Sequence, residues 1–384
     1  MSRLPPFILV ADEDGLRRLV GALALESVIG VDTESNSLHA YRERVCLIQI
    51  STPAVDYIVD PISLPNLSSL APFFANPDQQ KVLHAADNDL VCLRRDYGWE
   101  FANIFDTMSA ARTLGWPQVG LAAILDAHFG VQMNKKYQRA DWKRRPLPPE
   151  QLEYARLDTH YLGALRDKQL DALTASGCWT EAHEEFERLA RGRSDSDSLG
   201  TAPAAFWRMK GARDLSPEKA AVLAALFAYR EQEAERLDRP PFKVMGEATL
   251  MELTRRAPRS AEDLQNPPCL SPEQMRRHAQ GLLQAIAQGL QAPGQRAPHA
   301  HREPDDVRDR YDRLHTWRKE RARLRGVESD VILPRAALLD LARRPPRTHD
   351  ELTNIEAFGP WRRKTYGEEI LALLSGAALP LRSA

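Results

Sequence analysis

The chain has 384 residues, 43% of them hydrophobic and 27% charged, and its formal net charge is -1. This length predicts two or three domains rather than one core, and the composition excludes the disordered and fibrous classes of protein. The four cysteines are widely scattered without a Cys-x-x-Cys pair, which excludes a disulfide framework and a zinc site of the usual spacing.

The N-terminal sequence predicts neither a targeting signal nor a membrane span. MSRLPPFILVADEDG contains an apolar run of four residues before acidic residues appear. A signal-peptide core or a membrane helix needs a much longer apolar run. We therefore expect a cytoplasmic protein that makes no contact with membranes.

Acidic residues are concentrated in the first half of the chain. Residues 1–203 carry 28 Asp and Glu against 21 Lys and Arg, whereas residues 204–290 carry 11 against 13 and residues 305–384 carry 13 against 16. If divalent cations neutralise part of the N-terminal excess, the negative sum is no objection to a polyanionic partner such as nucleic acid.

The first part of the chain combines strand-like and helix-like segments. Three short β-branched runs predict a meander of strands: SVIGVDTES, VCLIQIST and VDYIVD. Helical patterns follow, and the last of them predicts one long helix over residues 148–177, with prolines at its start and Gly177 at its end. Strands followed by interleaved helices indicate an α/β domain with a mixed sheet, which we place at residues 1–190.

The remainder of the chain is helical and repeats itself. Polar or Pro-rich linkers at residues 191–203 and 291–304 separate two segments, 204–290 and 305–384. An offset of 88 residues aligns AYREQEAERL with TWRKERARLR, and LMELTRRAPRSAEDLQN with LLDLARRPPRTHDELTN. Shared helical periodicity alone would not repeat these residues in register, so we predict a duplicated all-α module.

Asp32 and Glu34 stand two residues apart in GVDTES, so both side chains leave the same face of the predicted strand. For an isolated Asp-x-Glu, a solvated edge strand is the simpler explanation. Here the flanking SVIGV and VCLIQI predict an interior strand, and no Lys or Arg within it offsets the charges. A divalent cation is the natural counter-charge for two buried carboxylates.

Two further segments supply acidic residues. In VLHAADNDLVCL, Asp87 and Asp89 lie near a predicted helix N-terminus, where capping explains one of them. In YARLDTHYL, Tyr154 and Asp158 stand at i and i+4 and project from one face of a helix. Each segment is a weak signal alone, but together they give four acids and a phenol on an α/β frame.

These segments resemble the proofreading-type 3′ to 5′ exonuclease superfamily with four metal-binding acids, in its tyrosine-containing branch. Its three motifs match GVDTES with CLIQI, LHAADNDL, and DWKRRPLPPEQLEYARLDTHYL. The repeated modules resemble the helicase-and-ribonuclease-D C-terminal (HRDC) domain, so nearly the whole chain resembles the ribonuclease D family. The implied fold is an α/β, ribonuclease H-like exonuclease domain with a mixed sheet, followed by two small all-α HRDC-type domains.

The resemblance implies a catalytic set of four metal-binding acids and one tyrosine that positions the attacking water: Asp32, Glu34, Asp89, Asp158 and Tyr154. In the second motif the family's acid precedes an apolar residue, which selects Asp89 over Asp87. Oxygen ligands suit two hard cations, Mg²⁺ or Mn²⁺, and Asp32 is expected to bridge them.

The implied function is trimming of the 3′ ends of precursor tRNAs and other small structured RNAs, with release of nucleoside 5′-monophosphates. We expect a monomer that uses no nucleotide cofactor. The chain has no GxxxxGK[ST] loop, so we expect no helicase domain in it. The alternatives are a DNA 3′ to 5′ exonuclease of the Werner type and a non-catalytic nucleic-acid-binding protein. Two C-terminal modules without a helicase motor favour RNA, and the full set of acids favours an enzyme.

Substrate contacts are predicted from a histidine and a basic stretch. His84 either contacts substrate or is a structural histidine at a strand end. The stretch NKKYQRADWKRR, with Lys135, Lys136 and Trp142, either follows the RNA backbone and stacks a base or is a solvated loop. The basic segments TRRAPR, ARRPPR and WRRK of the modules either meet phosphates or only support packing.

Overall fold

The computed structural model describes residue 4 and residues 6–192, 205–265, 269–298 and 302–376. The predicted linker at 191–203 lies almost entirely outside the described residues, and so does part of the linker at 291–304. By its contacts the chain divides into two compact units, one of residues 1–35, 45–193 and 303–384 and the other of residues 36–44 and 194–302. The predicted domain limits at 190, 204, 290 and 305 stay predictions.

The first unit contains a mixed six-stranded sheet in the spatial order β1-β4-β3-β2-β5-β6. Its strands are β1 (Ile8–Val10), β2 (Val28–Ser35), β3 (Val45–Ser51), β4 (Asp56–Val59), β5 (Gln80–Leu83) and β6 (Ile104–Asp106). β2 pairs antiparallel with β3 and parallel with β5, and all of β3 is buried. The predicted α/β fold class and the interior position of the GVDTES strand are therefore confirmed.

Eight helices accompany this sheet in the described part of residues 1–192. They are α1 (Glu13–Leu23), α2 (Ala71–Ala75), α3 (Asp87–Tyr97), α4 (Thr107–Thr113), α5 (Leu121–Phe129), α6 (Pro149–His160), α7 (Leu162–Ala175) and α8 (Trp179–Arg191). Local signals set several ends. The Asp12 carboxylate accepts from Gly15 N–H at 2.7 Å at the start of α1, and Gly98 ends α3 with a φ of +67°.

The prediction of one long helix over 148–177 is wrong, because α6 and α7 divide this segment at Tyr161. The division lies against β2. A Cβ atom at Gly30 would stand 2.9 Å from the Thr159 carbonyl oxygen and 3.3 Å from Leu162 Cβ. The helical backbone therefore approaches the strand more closely than any side chain at position 30 would allow. No Gly or Pro at 161 announces this break, which follows from tertiary packing.

The two helical modules have the same internal order of elements. The first contains α9 (Pro217–Arg236), α10 (Pro241–Val244), α11 (Glu247–Arg256), α12 (Ala261–Gln265) and α13 (Pro272–Gln291). The second contains α14 (Asp305–Arg325), α15 (Ser329–Ile332), α16 (Arg335–Arg343) and α17 (Pro360–Ser375). Each helix of the second module begins 88 residues after its counterpart, and a 3₁₀ turn at Glu351–Asn354 replaces α12. The predicted duplication is confirmed.

The second module belongs to the first unit, where it contacts α8 through buried ion pairs. Arg362 of α17 donates from Nη1 to Glu184 Oε1 at 2.8 Å, and the Trp361 N–H donates to Glu184 Oε2 at 2.7 Å. Arg325 donates from Nη1 to Glu181 Oε1 at 2.6 Å. Both glutamates are buried, so their charges are compensated mainly from the second module. Across the described ranges, no helix combines the length and apolar character needed to span a membrane.

Candidate active site

Strand β2 carries the first two acids in the middle of the sheet. Asp32 pairs with Gln49 and Glu34 with Leu47 on β3, and the register shifts between Glu34 and Ser35. Such bulges are frequent next to active sites because they end regular pairing and redirect side chains. The two predicted acids therefore share one face of an interior strand.

The third acid lies in the first turn of α3. Asp89 is 8% exposed and accepts a hydrogen bond from the Thr33 hydroxyl, which lies between the first two acids on β2. Asp87 in the same turn is exposed. The structure thus brings Asp89, rather than Asp87, to β2.

Helix α6 supplies the remaining members of the predicted set. Tyr154 is buried in an apolar cluster with Leu47 and Ala155, and its hydroxyl hydrogen-bonds the Gln138 side chain. Asp158 lies one turn further along α6, between Tyr154 and the point where α6 meets Gly30. The helix face is therefore held over the sheet face that carries Asp32 and Glu34.

The four acids interact strongly with each other. Burial and the charges of Asp89, Asp158 and Glu34 raise the pKa of Asp32 well above its usual range, although Asp32 keeps some solvent access. Burial followed by the charges of Asp158 and Asp89 raises the pKa of Glu34 to about 9. Burial is also the main cause of the raised pKa values of Asp89 and Asp158. Like charges held together in this way call for a cationic partner.

A cavity of about 330 Å³ opens beside these acids. It is lined by Asp32, Asp158, Tyr154 and His84, and also by residues 120–123, Met133 and Gln138. Gln138 lies in the predicted basic stretch, whereas Met133 and residues 120–123, at the start of α5, were not predicted. Their only sequence signal is Gly120, whose lack of a side chain permits close approach of a ligand to backbone.

His84 has both a structural partner and a place in this cavity. Its Nδ1 lies 2.9 Å from Thr107 Oγ1, which itself donates to the Leu83 carbonyl at 3.0 Å, so Nδ1 carries the proton. Burial lowers the pKa of His84 to about 4, which keeps the ring neutral. Its Nε2 is buried without a hydrogen-bond partner among the described residues. The predicted contact of His84 with substrate stays a prediction.

The basic stretch contributes differently from residue to residue. Trp142 is 1% exposed, and its ring lies 6.2 Å from that of Tyr154. This favours a role in supporting Tyr154 over the predicted contact with a base. Lys136 is exposed, with its ammonium 5.2 Å from the Tyr137 ring centre. The side chain of Lys135 lies outside the described residues.

The donor set fits hard divalent cations. Four carboxylates supply oxygen ligands, and a cation would remove the repulsion that raises their pKa values. Within the described ranges, no three or more Asp, Glu, His or Cys side chains stand close enough to hold a metal as they are.

Known proteins resemble this chain over nearly its whole length. The profile of a 3′-5′ exonuclease family matches residues 7–173, and that of the HRDC domain matches residues 219–286 and 307–374. Ribonuclease D of Acidiphilium cryptum is 28% identical over 381 residues, which are 97% of this chain and 94% of that protein. The catalytic core of RRP6 from Trypanosoma brucei matches with a TM-score of 0.64 and 30% identity, over 74% of this chain and 80% of that chain.

Other relatives match a shorter part of the chain. RRP6-like 3 of Arabidopsis thaliana is 44% identical over 162 residues, which are 42% of this chain and 18% of that protein. The chain thus spans about a fifth of the length of the first curated relatives it matches. The resemblance predicted from the three motifs and the repeated modules is confirmed, and the chain belongs to the ribonuclease D and RRP6 family of 3′-5′ exonucleases with HRDC domains.

Proposed function

We propose that this protein is a metal-dependent 3′ to 5′ exoribonuclease. Its substrates would be the 3′ ends of precursor tRNAs and other small structured RNAs, and its products nucleoside 5′-monophosphates. The observation that carries the proposal is the convergence of Asp32, Asp158 and Tyr154 on one cavity, with Glu34 and Asp89 beside them. We further propose that it acts in the cytoplasm as a monomer.

The acids and the tyrosine have separate tasks in this proposal. Two Mg²⁺ or Mn²⁺ ions, held by the four acids, would supply activation of the attacking water and neutralisation of the charge on the leaving oxygen. Burial and the nearby carboxylates raise the pKa of Tyr154 above its usual range, so its hydroxyl keeps its proton. Tyr154 therefore acts as a hydrogen-bond donor that orients a reacting group rather than as a base.

We propose that the helical modules position structured RNA. Packing within the fold restricts which of their basic residues can contact phosphates. In WRRK, Arg362 is buried against Glu184 and is occupied in holding the second module. Phosphate contacts in this segment fall instead to Arg363 and Lys364, which are only partly buried or exposed.

The proposal is tested with a 5′-labelled precursor tRNA and a single-stranded DNA of the same sequence. We expect stepwise shortening of the RNA in Mg²⁺ or Mn²⁺, no shortening in EDTA, and 5′-monophosphates as products. A circular RNA of the same sequence, which has no 3′ end, is the control. Trimming that persists in EDTA would contradict the metal-dependent mechanism, and a preference for the DNA would favour the DNA exonuclease instead.

Glu34→Gln is expected to stabilise the metal-free protein at pH 8. The pKa of Glu34 is raised to about 9 from an ordinary 4.5, so between these values the folded state holds a proton that the unfolded chain has released. Stability therefore falls as the pH rises through this window, and the full loss is present above pH 9. Glutamine carries no charge to bury. Each unit by which the folded-state pKa exceeds the unfolded value corresponds to about 1.4 kcal/mol of stability that the substitution can restore at high pH.

The measurement is thermal unfolding in EDTA at pH 5 and pH 8. At pH 8 the variant should unfold at least ~2 °C above the wild type, by the usual relation of stability to Tm, and at pH 5 the two should nearly coincide. Glu100→Gln, which changes an exposed glutamate, is the matched control. A Glu34→Gln variant less stable than the wild type at pH 8 would show that the carboxylate is well accommodated without a cation.

A further inference from the structure

Gln49 is a buried amide that the proposed mechanism does not use. Its side chain lies in the interior of β3 with 0% exposure. Neither its Nε2 nor its Oε1 has a hydrogen-bond partner within the described residues. An amide with two donor hydrogens and an acceptor oxygen loses its hydration on burial, and leaving these groups unpaired destabilises the fold. A buried polar group of this kind calls for a partner or a function.

The strand register places Gln49 beside the first acid. Gln49 pairs with Asp32 across β2 and β3, and directly opposed residues of antiparallel strands share a face, with Cβ atoms ~4.5–5.5 Å apart. Two residues away on that face, Ser51 Oγ lies 2.7 Å from Thr159 Oγ1 of α6. Two residues away in the other direction, Leu47 shares a cluster with Tyr154. Gln49 therefore lies beneath α6, between the contacts that attach this helix to the sheet.

The chemistry of the surroundings selects what the amide can do. The cross-strand neighbour of Gln49 is a carboxylate, which accepts hydrogen bonds from N–H groups and cannot donate when ionised. Ligand carboxylates of metal sites are commonly held by such outer partners, and loss of one lowers metal affinity by about 10–100-fold. The amide also adds no charge to a site where three other acids already act on Asp32.

We infer that Gln49 is a positioning residue, whose Nε2 donates to the Asp32 carboxylate and holds it in the orientation that binds a divalent cation. This inference rests on the proposed metal-dependent function. This hydrogen bond would form when the carboxylates bind the ion. The amide is therefore unpaired before the cation binds and hydrogen-bonded afterwards. Gln49 does not touch the reacting phosphate.

The test is Gln49→Met, which keeps the length and volume of the side chain and removes the amide. In EDTA we expect the variant to unfold at or above the wild-type temperature, because an unpaired buried amide is lost. In calorimetric titration with Mn²⁺ alone we expect its affinity to fall about tenfold or more. Gln79→Met is the matched control, since Gln79 is also buried but donates to the carbonyls of Leu23 and Glu26. It should lose stability and keep Mn²⁺ affinity.

The outcomes separate the two proposals. Wild-type Mn²⁺ affinity in Gln49→Met would overturn the positioning role while leaving the metal-dependent function in place. A marked loss of stability in EDTA, comparable to that of Gln79→Met, would also overturn it, because the amide would then be paired in the metal-free fold. A wild-type protein that binds no Mn²⁺ and trims no RNA would overturn the function itself and the inference with it.

Discussion

Asp32→Asn is expected to abolish RNA trimming, with a fall in kcat of about a thousandfold or more. The charges of the other three acids all raise the pKa of Asp32, and its side chain lines the cavity between β2 and α6. Asparagine keeps the shape of the side chain but removes the charge that would hold both cations. Metal ions contribute several kcal/mol to stabilising a charged transition state, and ~4 kcal/mol corresponds to about three orders of magnitude in rate.

The variant should nevertheless fold. Removing one of four mutually repelling carboxylates relieves the cost of burial, so in EDTA its Tm should equal or exceed that of the wild type. Asp87→Asn is the control, because Asp87 is exposed in the same turn as Asp89 and should keep full activity. Single-turnover rates on labelled RNA at saturating Mg²⁺ are the measurement. Activity of Asp32→Asn within tenfold of the wild type would rule out a ligand role for Asp32.

Arg362→Ala is expected to destabilise the first unit by about 3–5 kcal/mol, the usual cost of leaving a buried charge without its partner. Arg362 and Glu184 are 3% and 9% exposed, and the arginine also donates to the carbonyls of Val331 and Ile332 at 3.1 Å. Alanine leaves Glu184 buried with only backbone donors. Urea unfolding gives the loss of stability, and limited proteolysis should release the second helical module earlier than in the wild type.

A matched substitution at an exposed arginine distinguishes the effect of burial from the effect of losing a charge. Arg323 pairs with Glu320 at 2.7 Å, but both side chains are more than half exposed and water screens the pair, so Arg323→Ala should cost far less stability than Arg362→Ala. Replacing both Arg362 and Glu184 by apolar residues should recover much of the loss, because no unpaired charge is then left behind. A cost of Arg362→Ala no greater than that of Arg323→Ala would mean that this ion pair does not hold the module.

The sequence predicted those parts of the fold whose signal is local or repeated. The interior strand around Asp32 is an apolar run next to another apolar run, and the modules repeat in register over 88 residues. Strands β1 and β6 were not predicted, since each has three residues and forms only by pairing with β4 or β5. The break at Tyr161 was missed for the same reason, because it depends on a contact with Gly30 that no neighbouring residue announces.

The same distinction applies to the residues of the candidate site. The acids and Tyr154 could be nominated because each lies in a short pattern with fixed spacing. Gln49 was not nominated although it lies in the CLIQI segment of the first motif, because only the strand register places it opposite Asp32. The wall formed by Gly120–Ala123 is also a product of topology, since α5 reaches the cavity from a distant part of the chain.

The contact of Gly30 with α6 has a consequence for how this site tolerates change. Two of the acids stand on a strand and a third on the helix above it, so their separation is governed by the gap between these two elements. At Gly30, two residues before Asp32, a Cβ atom would already stand 2.9 Å from the Thr159 carbonyl oxygen of the helix. Even one methyl group at position 30 would push α6 away from β2. It would thereby increase the distance between Asp158 on α6 and Asp32 on β2. The spacing of the acids thus depends on the absence of a side chain at Gly30, a residue outside the predicted catalytic set.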